Sequence, residues 1–141
     1  MVSNIRIKKI NREIASIIID EPKTYNALSF KNLNNLIKAF KKLDSDKNIK
    51  VIIIEGSGKG FSAGHNLKEV NGLKKRAKYQ KLFNLCSKLM LQIVEGKKPV
   101  IAKVHGAAFA AGCQLVASCD LAYSTNAVSY THLTLPTSYA V

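Results

Sequence analysis

Two short loops of small residues constrain the fold of this chain more than any other feature of its sequence. The first, residues 56–64, follows the apolar run 51–54, and the second, residues 105–112, follows the largely apolar run 99–104. Short apolar runs of this kind are typical of strands that are buried on both faces. Glycine and alanine allow the backbone to approach another group closely. The sequence therefore predicts two buried strands, each of which ends in a tightly packed loop before a helix.

Further strand and helix patterns alternate along the chain. Besides the two buried strands, the periodicity predicts strand 5–10, strand 14–20, helix 30–43, helix 82–93, a helix from about Gly112 and strand 121–123. Ser29 is a suitable N-cap for the first of these helices. The alternation indicates a layered α/β architecture, and 141 residues are enough for one domain with its own core.

The formal net charge of +13 has two explanations. It could attract polyanions such as nucleic acid or the phosphates of a nucleotide-bearing cofactor. The chain is also rich in lysine, asparagine and isoleucine and holds only three arginines, a bias that AT-rich coding produces by itself. Because arginine is the preferred side chain for reading bases and gripping phosphates, its scarcity argues against a nucleic-acid partner.

The cysteines and the apolar segments exclude other classes of protein. Three cysteines without framework or metal-ligand spacing predict free thiols, no disulfide and no metal site. No apolar run is long enough to span a membrane, and the N-terminus lacks the apolar core of a secretory signal. The expected location is the cytoplasm, as for a bacterial protein, with the mitochondrial matrix as the alternative.

The first loop matches the Gly-x-Ser-x-Gly pattern of a hydrolase nucleophile elbow, and Asp120 and His132 follow it in chain order. An elbow needs its serine directly at the strand end, but residues 56–60 intervene before Ser62. The loop also lacks the endings of a phosphate loop and of a dinucleotide fingerprint. The first N–H groups of a helix have no partner inside it. Two loops that each precede a helix could therefore aim two N–H donors at one ligand oxygen.

Three motifs in register produce a specific resemblance over residues 5–126. Residues 61–69, Phe-Ser-Ala-Gly-His-Asn-Leu-Lys-Glu, resemble the crotonase (enoyl-CoA hydratase/isomerase) motif Phe-x-x-Gly-x-Asp-Leu-Lys-Glu. Residues 98–113 resemble the second motif of that family, and residues 21–28 resemble its early Arg-Pro-x-x-x-Asn-Ala-Leu segment. Residues 110–120 further resemble the subgroup typified by enoyl-CoA hydratase domain-containing protein 3.

The resemblance implies the crotonase fold, a ClpP-like spiral of ββα units that assembles as trimers or hexamers. It implies an acyl-CoA thioester as the ligand, with coenzyme A as part of the substrate and no separate cofactor. The thioester carbonyl would lie between the backbone N–H groups of His65 and Ala111. The remaining substrate-binding positions carried over from the family are Lys23, Ala63, Asn66, Leu67 and Lys68.

The catalytic positions depart from the family pattern. Hydratases of this family use two glutamates, and the first of them falls at Gln114, which cannot exchange a proton as a carboxylate does. The second falls near Thr134, where the chain has no acid. Two alternatives follow: an enoyl-CoA hydratase or isomerase of fatty-acid metabolism, or an acyl-CoA-binding protein of the same fold without hydratase activity. His65 could contribute its imidazole as acid or base, or only its backbone N–H.

The end of the chain differs in composition from the rest. No charged residue follows Asp120, and residues 129–137 resemble the translation of synthetic sequencing-adapter DNA. We therefore expect residues 1–127 to form a partial crotonase core and residues 128–141 to be a non-native tail. On this view the chain is truncated before the C-terminal helices of the family, and we expect it to be inactive by itself.

Overall fold

The computed structural model describes residues 3–126 and 129–131. The strands are β1 Ile5–Lys9, β2 Ile14–Ile19, β3 Val51–Gly56, β4 Val100–Val104, β5 Ala107–Phe109, β6 Leu121–Ser124 and β7 Ser129–Thr131. The helices are α1 Phe30–Ser45, α2 Leu67–Asn71, α3 Arg76–Val94 and α4 Ala111–Ser118, and a 3-10 turn covers Pro22–Thr24. The predicted α/β class and the ββα pattern are confirmed, since β1, β2 and α1 form one such unit and β4, β5 and α4 another.

Five strands form one sheet in the order β1-β2-β3-β4-β6. The first pair is antiparallel and the other pairs are parallel. The pairing aligns Ile17 with Ile54 and Ile54 with Ala102, and all three side chains are fully buried. Helix α1 packs on β1 and β2 and against α3, which in turn packs against α4. The core therefore lies between one face of the sheet and these helices. The prediction of strands buried on both faces is wrong, since buried residues alternate with partly or fully exposed ones along β3 and β4.

Three features differ from the sequence-based expectations. Helix α3 begins at Arg76, earlier than residue 82, because its first turns are polar and carry no apolar periodicity. The second loop contains the short strand β5, and α2 follows the first loop directly. Strand β7, which pairs parallel with β5, lies in the segment expected to be non-native. The expectation for residues 128–141 remains a prediction, and most of that segment lies outside the described residues.

Helix α1 is fixed at its start by two polar side chains. Ser29 is the N-cap, and its Oγ accepts a hydrogen bond from the backbone N–H of Asn32 at 3.1 Å, as predicted. The Oε1 of Glu69 accepts another from the backbone N–H of Phe30 at 2.9 Å. These acceptors satisfy donors that the helix itself cannot satisfy. They also tie the segment after the first loop to the start of α1.

The end of α1 is held by Lys98, which belongs to the second motif. Its Nζ donates to the carbonyl of Leu43 at 2.5 Å and to the carbonyl of Asp46. The last carbonyls of a helix lack internal partners and carry partial negative charge, so a cation there is stabilising. Lys98 therefore joins the start of β4 to the end of α1. No helix in the described ranges combines the length and the apolar character that crossing a bilayer requires.

We predict that Lys98→Met lowers the free energy of unfolding by about 1–2 kcal/mol, because it keeps the aliphatic stem and removes the ammonium group. Urea denaturation followed by circular dichroism measures the change. Lys97→Met is the matched control, since that neighbouring residue is exposed. Equal stability of the two variants would contradict the capping role of Lys98.

Candidate functional site

The two small-residue loops lie against each other along a short backbone ladder. The backbone N–H of Phe61 donates to the carbonyl of Ala107 at 2.9 Å, and that of Phe109 donates to the carbonyl of Ser62 at 3.0 Å. Ser62 and Ala108 form a parallel bridge. Because the ladder runs from β5 toward the start of α4, it brings the end of the first loop close to that helix.

The side chain of Asn26 holds the first loop in shape. It is fully buried, and its Nδ2 donates to the carbonyls of Ser57 at 2.7 Å and Gly60 at 2.9 Å. Its Oδ1 accepts from the backbone N–H of Glu21 at 2.9 Å. The backbone carbonyl of Asn26 also accepts from the Oγ of Ser62 at 2.8 Å. Sequence reasoning placed Asn26 in the early motif without assigning it this role, which only the loop's folded path reveals.

Two glycines allow the loops to touch backbone to backbone. A Cβ on Gly64, whose φ is 89°, would lie 3.1 Å from the backbone nitrogen of Ala111 and 2.9 Å from the carbonyl oxygen of Phe109. A Cβ on Gly112 would lie 2.4 Å from the carbonyl oxygen of Ser62. Side chains at these positions would push the loops apart. The contact places the segment that contains His65 beside the start of α4.

The residue before α4 is in an uncommon conformation. Ala110 has φ 48° and ψ −118°, values that a residue with a Cβ rarely adopts. Such backbone strain persists only where surrounding contacts hold it. Here the preceding strand β5 is bound to the first loop, so the direction in which α4 starts is determined by that contact.

The predicted donors come together in the structure. His65, Ala111 and Gln114 all lie on the wall of one cavity of about 420 Å³. The backbone N–H groups of His65 and Ala111 make no hydrogen bond with any group in the part of the chain that the structure describes. For Ala111 this follows from its place as the first residue of α4. Two unsatisfied donors beside one cavity can accommodate a ligand oxygen.

Helix α3 supplies the apolar wall of this cavity. Its contribution consists of Phe83, Cys86, Ser87 and Met90. Sequence reasoning assigned Phe83 and Met90 to the apolar stripe of a helix and missed their position at the site. The available signal was the width of that stripe, which extends beyond what the core covers and leaves Phe83 50% exposed.

The ring of His65 packs on the same wall. It meets the ring of Phe83 edge to face, with centroids 5.5 Å apart and planes at 86°. Its Nδ1 is buried and has no hydrogen-bond partner among the described residues. The other polar side chains on the cavity wall, those of Ser87 and Gln114, are uncharged. None of the described lining residues is an acid.

The positions predicted to meet the nucleotide end are spread around the first loop. Ala63 lines a second cavity of about 250 Å³, together with Tyr25 and Lys59. Lys23 is exposed in the 3-10 turn that precedes Tyr25. Lys23 and Ala63 therefore lie on segments joined by the hydrogen bond from the Ala63 N–H to the Tyr25 carbonyl, at 2.9 Å.

The other predicted binding positions lie at the start of α2. Asn66 is the N-cap of that helix, and its Oδ1 accepts from the backbone N–H of Glu69 at 3.2 Å. The amide thus performs the capping that an aspartate could also perform. Leu67 and Lys68 are exposed, and Leu67 is 73% exposed despite its apolar side chain.

The candidate residues of a hydrolase triad have structural contacts instead. Ser62 is buried and its Oγ is bound to the carbonyl of Asn26. Asp120 accepts a hydrogen bond from the backbone N–H of Val100 at 2.8 Å. His132 lies outside the described residues, as does Thr134 at the second glutamate position. The contacts of Ser62 argue against a nucleophile elbow.

The three thiols and the imidazole of His105 also have structural surroundings and not those of reactive groups. Cys113 is fully buried, and burial raises the pKa of its thiol, so it is a thiol of the core and not a reactive thiolate. Burial likewise raises the pKa of Cys86, and burial together with Asp120 raises that of Cys119 to about 12. The Nε2 of His105 donates to the carbonyl of Gly58 at 2.7 Å, so this ring serves as a hydrogen-bond donor within the loops.

The sheet with its helices and the paired small-residue loops define a crotonase-type α/β protein. A family model described as enoyl-CoA hydratase/isomerase matches residues 9–135, and the chain belongs to this family. The family predicted from the three motifs is thereby confirmed. The match extends past residue 127, into the segment expected to be non-native.

Particular relatives agree with the predicted subgroup. The chain is 45% identical over 118 residues to human enoyl-CoA hydratase domain-containing protein 3, mitochondrial, covering 83% of this chain and 39% of the relative. It is 34% identical over 112 residues to a probable enoyl-CoA hydratase of Bacillus subtilis, covering 79% of this chain and 43% of that protein. The chain thus spans about two fifths of the length of these curated relatives.

Solved structures show the same architecture. The crystal structure of human enoyl-CoA hydratase domain-containing protein 3 superposes with a TM-score of 0.85 at 38% identity, covering 90% of this chain and 50% of that one. An enoyl-CoA hydratase of Mycobacterium smegmatis superposes with a TM-score of 0.87 at 41% identity, covering 90% of this chain and 49% of that one. The expected fold, present over about half of the neighbours' length, is confirmed.

We predict that Asn26→Ala lowers the free energy of unfolding by about 2–4 kcal/mol, because it removes the hydrogen-bond partner of one buried and two partly buried backbone groups. Chemical denaturation measures the loss. Asn34→Ala is the control, since Asn34 is exposed on α1 and its side chain makes one hydrogen bond, to the carbonyl of Phe30. A loss at Asn26 no greater than that at Asn34 would show that the loop does not depend on this amide.

Proposed function

We propose that this chain is the part of a crotonase-family protein that binds an acyl-CoA thioester through a two-donor oxyanion hole. The thioester carbonyl oxygen would accept hydrogen bonds from the backbone N–H groups of His65 and Ala111. The observation that carries the proposal is that these two N–H groups have no other partner in the described structure and belong to residues that line one cavity, where Gly64 lies against the backbone nitrogen of Ala111. Donors held in place before the ligand arrives stabilise charge on an oxygen without reorganisation.

The rest of the ligand would extend in two directions from this point. The acyl chain would lie along Phe83 and Met90 of α3, where apolar side chains are available for burial. The coenzyme A moiety would lie near Lys23, Ala63, Asn66, Leu67 and Lys68. The cavity beside Ala63 is lined in part by Lys59. Lys68 is exposed shortly after Ala63 in the chain, and Lys23 is exposed on the segment that is hydrogen-bonded to Ala63 through Tyr25, so cations are available for the phosphates.

The chemistry after binding separates two alternatives. A hydratase needs carboxylates to move the protons of water, and Gln114 occupies the first of the two positions on the cavity wall. We therefore favour acyl-CoA binding without hydration by this chain over enoyl-CoA hydratase or isomerase activity. Assembly as a trimer or hexamer and a cytoplasmic location remain predictions. The relatives include both a human mitochondrial protein and a bacterial one.

Isothermal titration tests the binding proposal. We expect crotonyl-CoA to bind more tightly than free coenzyme A, because only the thioester presents a carbonyl to the two donors, by roughly a hundredfold for two well-formed hydrogen bonds. RNA titrated at physiological salt tests the alternative explanation of the net charge. Equal affinity for crotonyl-CoA and coenzyme A would refute the oxyanion hole.

A pair of glycine variants locates the binding site. Gly64→Ala places a Cβ within 3.1 Å of the backbone nitrogen of Ala111, and we expect it to abolish the preference for crotonyl-CoA. In Gly72→Ala the added Cβ would come no closer than 3.4 Å to the carbonyl of Lys68, so this variant is the control and should bind normally. Circular dichroism verifies that both variants are folded.

Turnover is a separate measurement. We expect little or no loss of the enoyl absorbance of crotonyl-CoA in the presence of this chain, since Gln114 cannot act as general acid or base. Hydration at a rate proportional to the concentration of the chain would contradict this expectation. It would show that another group on the cavity wall transfers the protons.

A further inference from the structure

His65 contributes its backbone N–H to the proposed oxyanion hole, but the hole makes no use of its imidazole side chain. The ring lies edge-on to Phe83 at a centroid distance of 5.5 Å, and the residue lines the cavity that Gln114 also lines. A side chain held against an aromatic ring loses rotational freedom. The ring of His65 is therefore a fixed feature of the cavity wall.

The surroundings of the two ring nitrogens assign the proton of the neutral imidazole. Nδ1 is buried and has no hydrogen-bond partner among the described residues. A proton on Nδ1 would leave a buried donor unsatisfied, which is rarer and more costly than an unused acceptor. The favoured neutral tautomer carries its proton on Nε2. Nε2 is not among the buried, unpartnered side-chain atoms of the described residues, and no hydrogen bond to it is found within them, so this nitrogen is the one left to donate to a ligand.

The remainder of the cavity contains few groups that this donor can meet. Phe83, Met90 and Ala110 are apolar, while Gln114 contributes an amide and Ser87 a hydroxyl, each with both a donor and an acceptor. A purely hydrocarbon acyl chain that displaced water from this wall would leave polar groups without partners. Such a loss costs more than the hydrogen bond itself adds.

From this geometry we propose that the Nε2–H of His65 selects acyl groups that carry an oxygen acceptor on the carbon next but one to the thioester carbonyl. The preferred ligands are 3-oxoacyl thioesters, whose second carbonyl accepts from Nε2 while the first lies between the two backbone donors. The inference rests on the proposed acyl-CoA binding. It adds a specificity-determining side chain to that site and requires no proton transfer.

Acetoacetyl-CoA and butyryl-CoA test the inference, because they have the same chain length and differ in the oxygen at the third carbon. We expect the chain to bind acetoacetyl-CoA roughly tenfold more tightly in isothermal titration, which corresponds to one well-formed hydrogen bond. His65→Phe keeps the backbone N–H and the aromatic contact with Phe83 but removes Nε2. Whatever the substitution does to the affinity for butyryl-CoA, the ratio of the affinities for acetoacetyl-CoA and butyryl-CoA should fall to about one.

His105→Phe is the matched control. The Nε2 of His105 is bound to the carbonyl of Gly58 and the residue does not line this cavity, so this variant should keep the preference for acetoacetyl-CoA. Equal affinity of the unsubstituted chain for the two ligands, or an undiminished preference in His65→Phe, would overturn the role of His65 while leaving acyl-CoA binding intact. Failure of both ligands to bind the unsubstituted chain would instead refute the proposed function.

Nitrogen-15 NMR of the histidine rings keeps the inference testable if His65→Phe does not fold. In the unsubstituted chain we expect the neutral His65 ring to carry its proton on Nε2. The Nε2 signal should shift when acetoacetyl-CoA is added and shift much less with butyryl-CoA. A proton on Nδ1, or identical shifts with the two ligands, would overturn the assignment.

Discussion

The buried hydrogen bonds of Asn26 are the interaction on which the site depends. One amide satisfies three backbone groups of two different segments, of which the carbonyl of Gly60 is buried and the other two are partly buried. The first loop is thereby held in a shape that lets β5 pair with it. Without that pairing, Gly64 would not meet the start of α4, and the N–H groups of His65 and Ala111 would not share a cavity. The candidate site is thus a consequence of loop packing more than of any reactive side chain.

Much of this arrangement could be predicted from the sequence because it is encoded locally. The apolar runs determine the buried strands, Ser29 marks the start of α1, and small residues mark the places where backbones touch. The family motifs add the pairing of His65 with Ala111, which no local pattern contains. Their role as donors to a ligand remains a proposal.

The parts that sequence reasoning missed depend on tertiary packing. Periodicity identifies the apolar stripe of α3 but does not say that Leu89 faces the core while Phe83 and Met90 reach a cavity. Lys98 has the sequence context of a motif residue, yet its contacts are with the distant end of α1. The burial of one nitrogen of His65 is likewise a property of the folded chain. In each case the sequence identifies the type of residue but not the residues that it contacts in the folded chain.

The positive φ of Ala110, at the edge of the cavity, lowers stability but restricts the direction in which α4 starts. Alanine at φ 48° costs of order 1 kcal/mol relative to glycine, which adopts positive φ freely. Glycine would relieve that strain and would also widen the range of directions in which the first turn of α4 can start. Selection for thermal stability alone would therefore favour glycine at position 110. Alanine there instead restricts the direction of the Ala111 N–H. If the proposed site is correct, a variant stabilised by replacing Ala110 with glycine would be expected to bind the acyl-CoA less tightly.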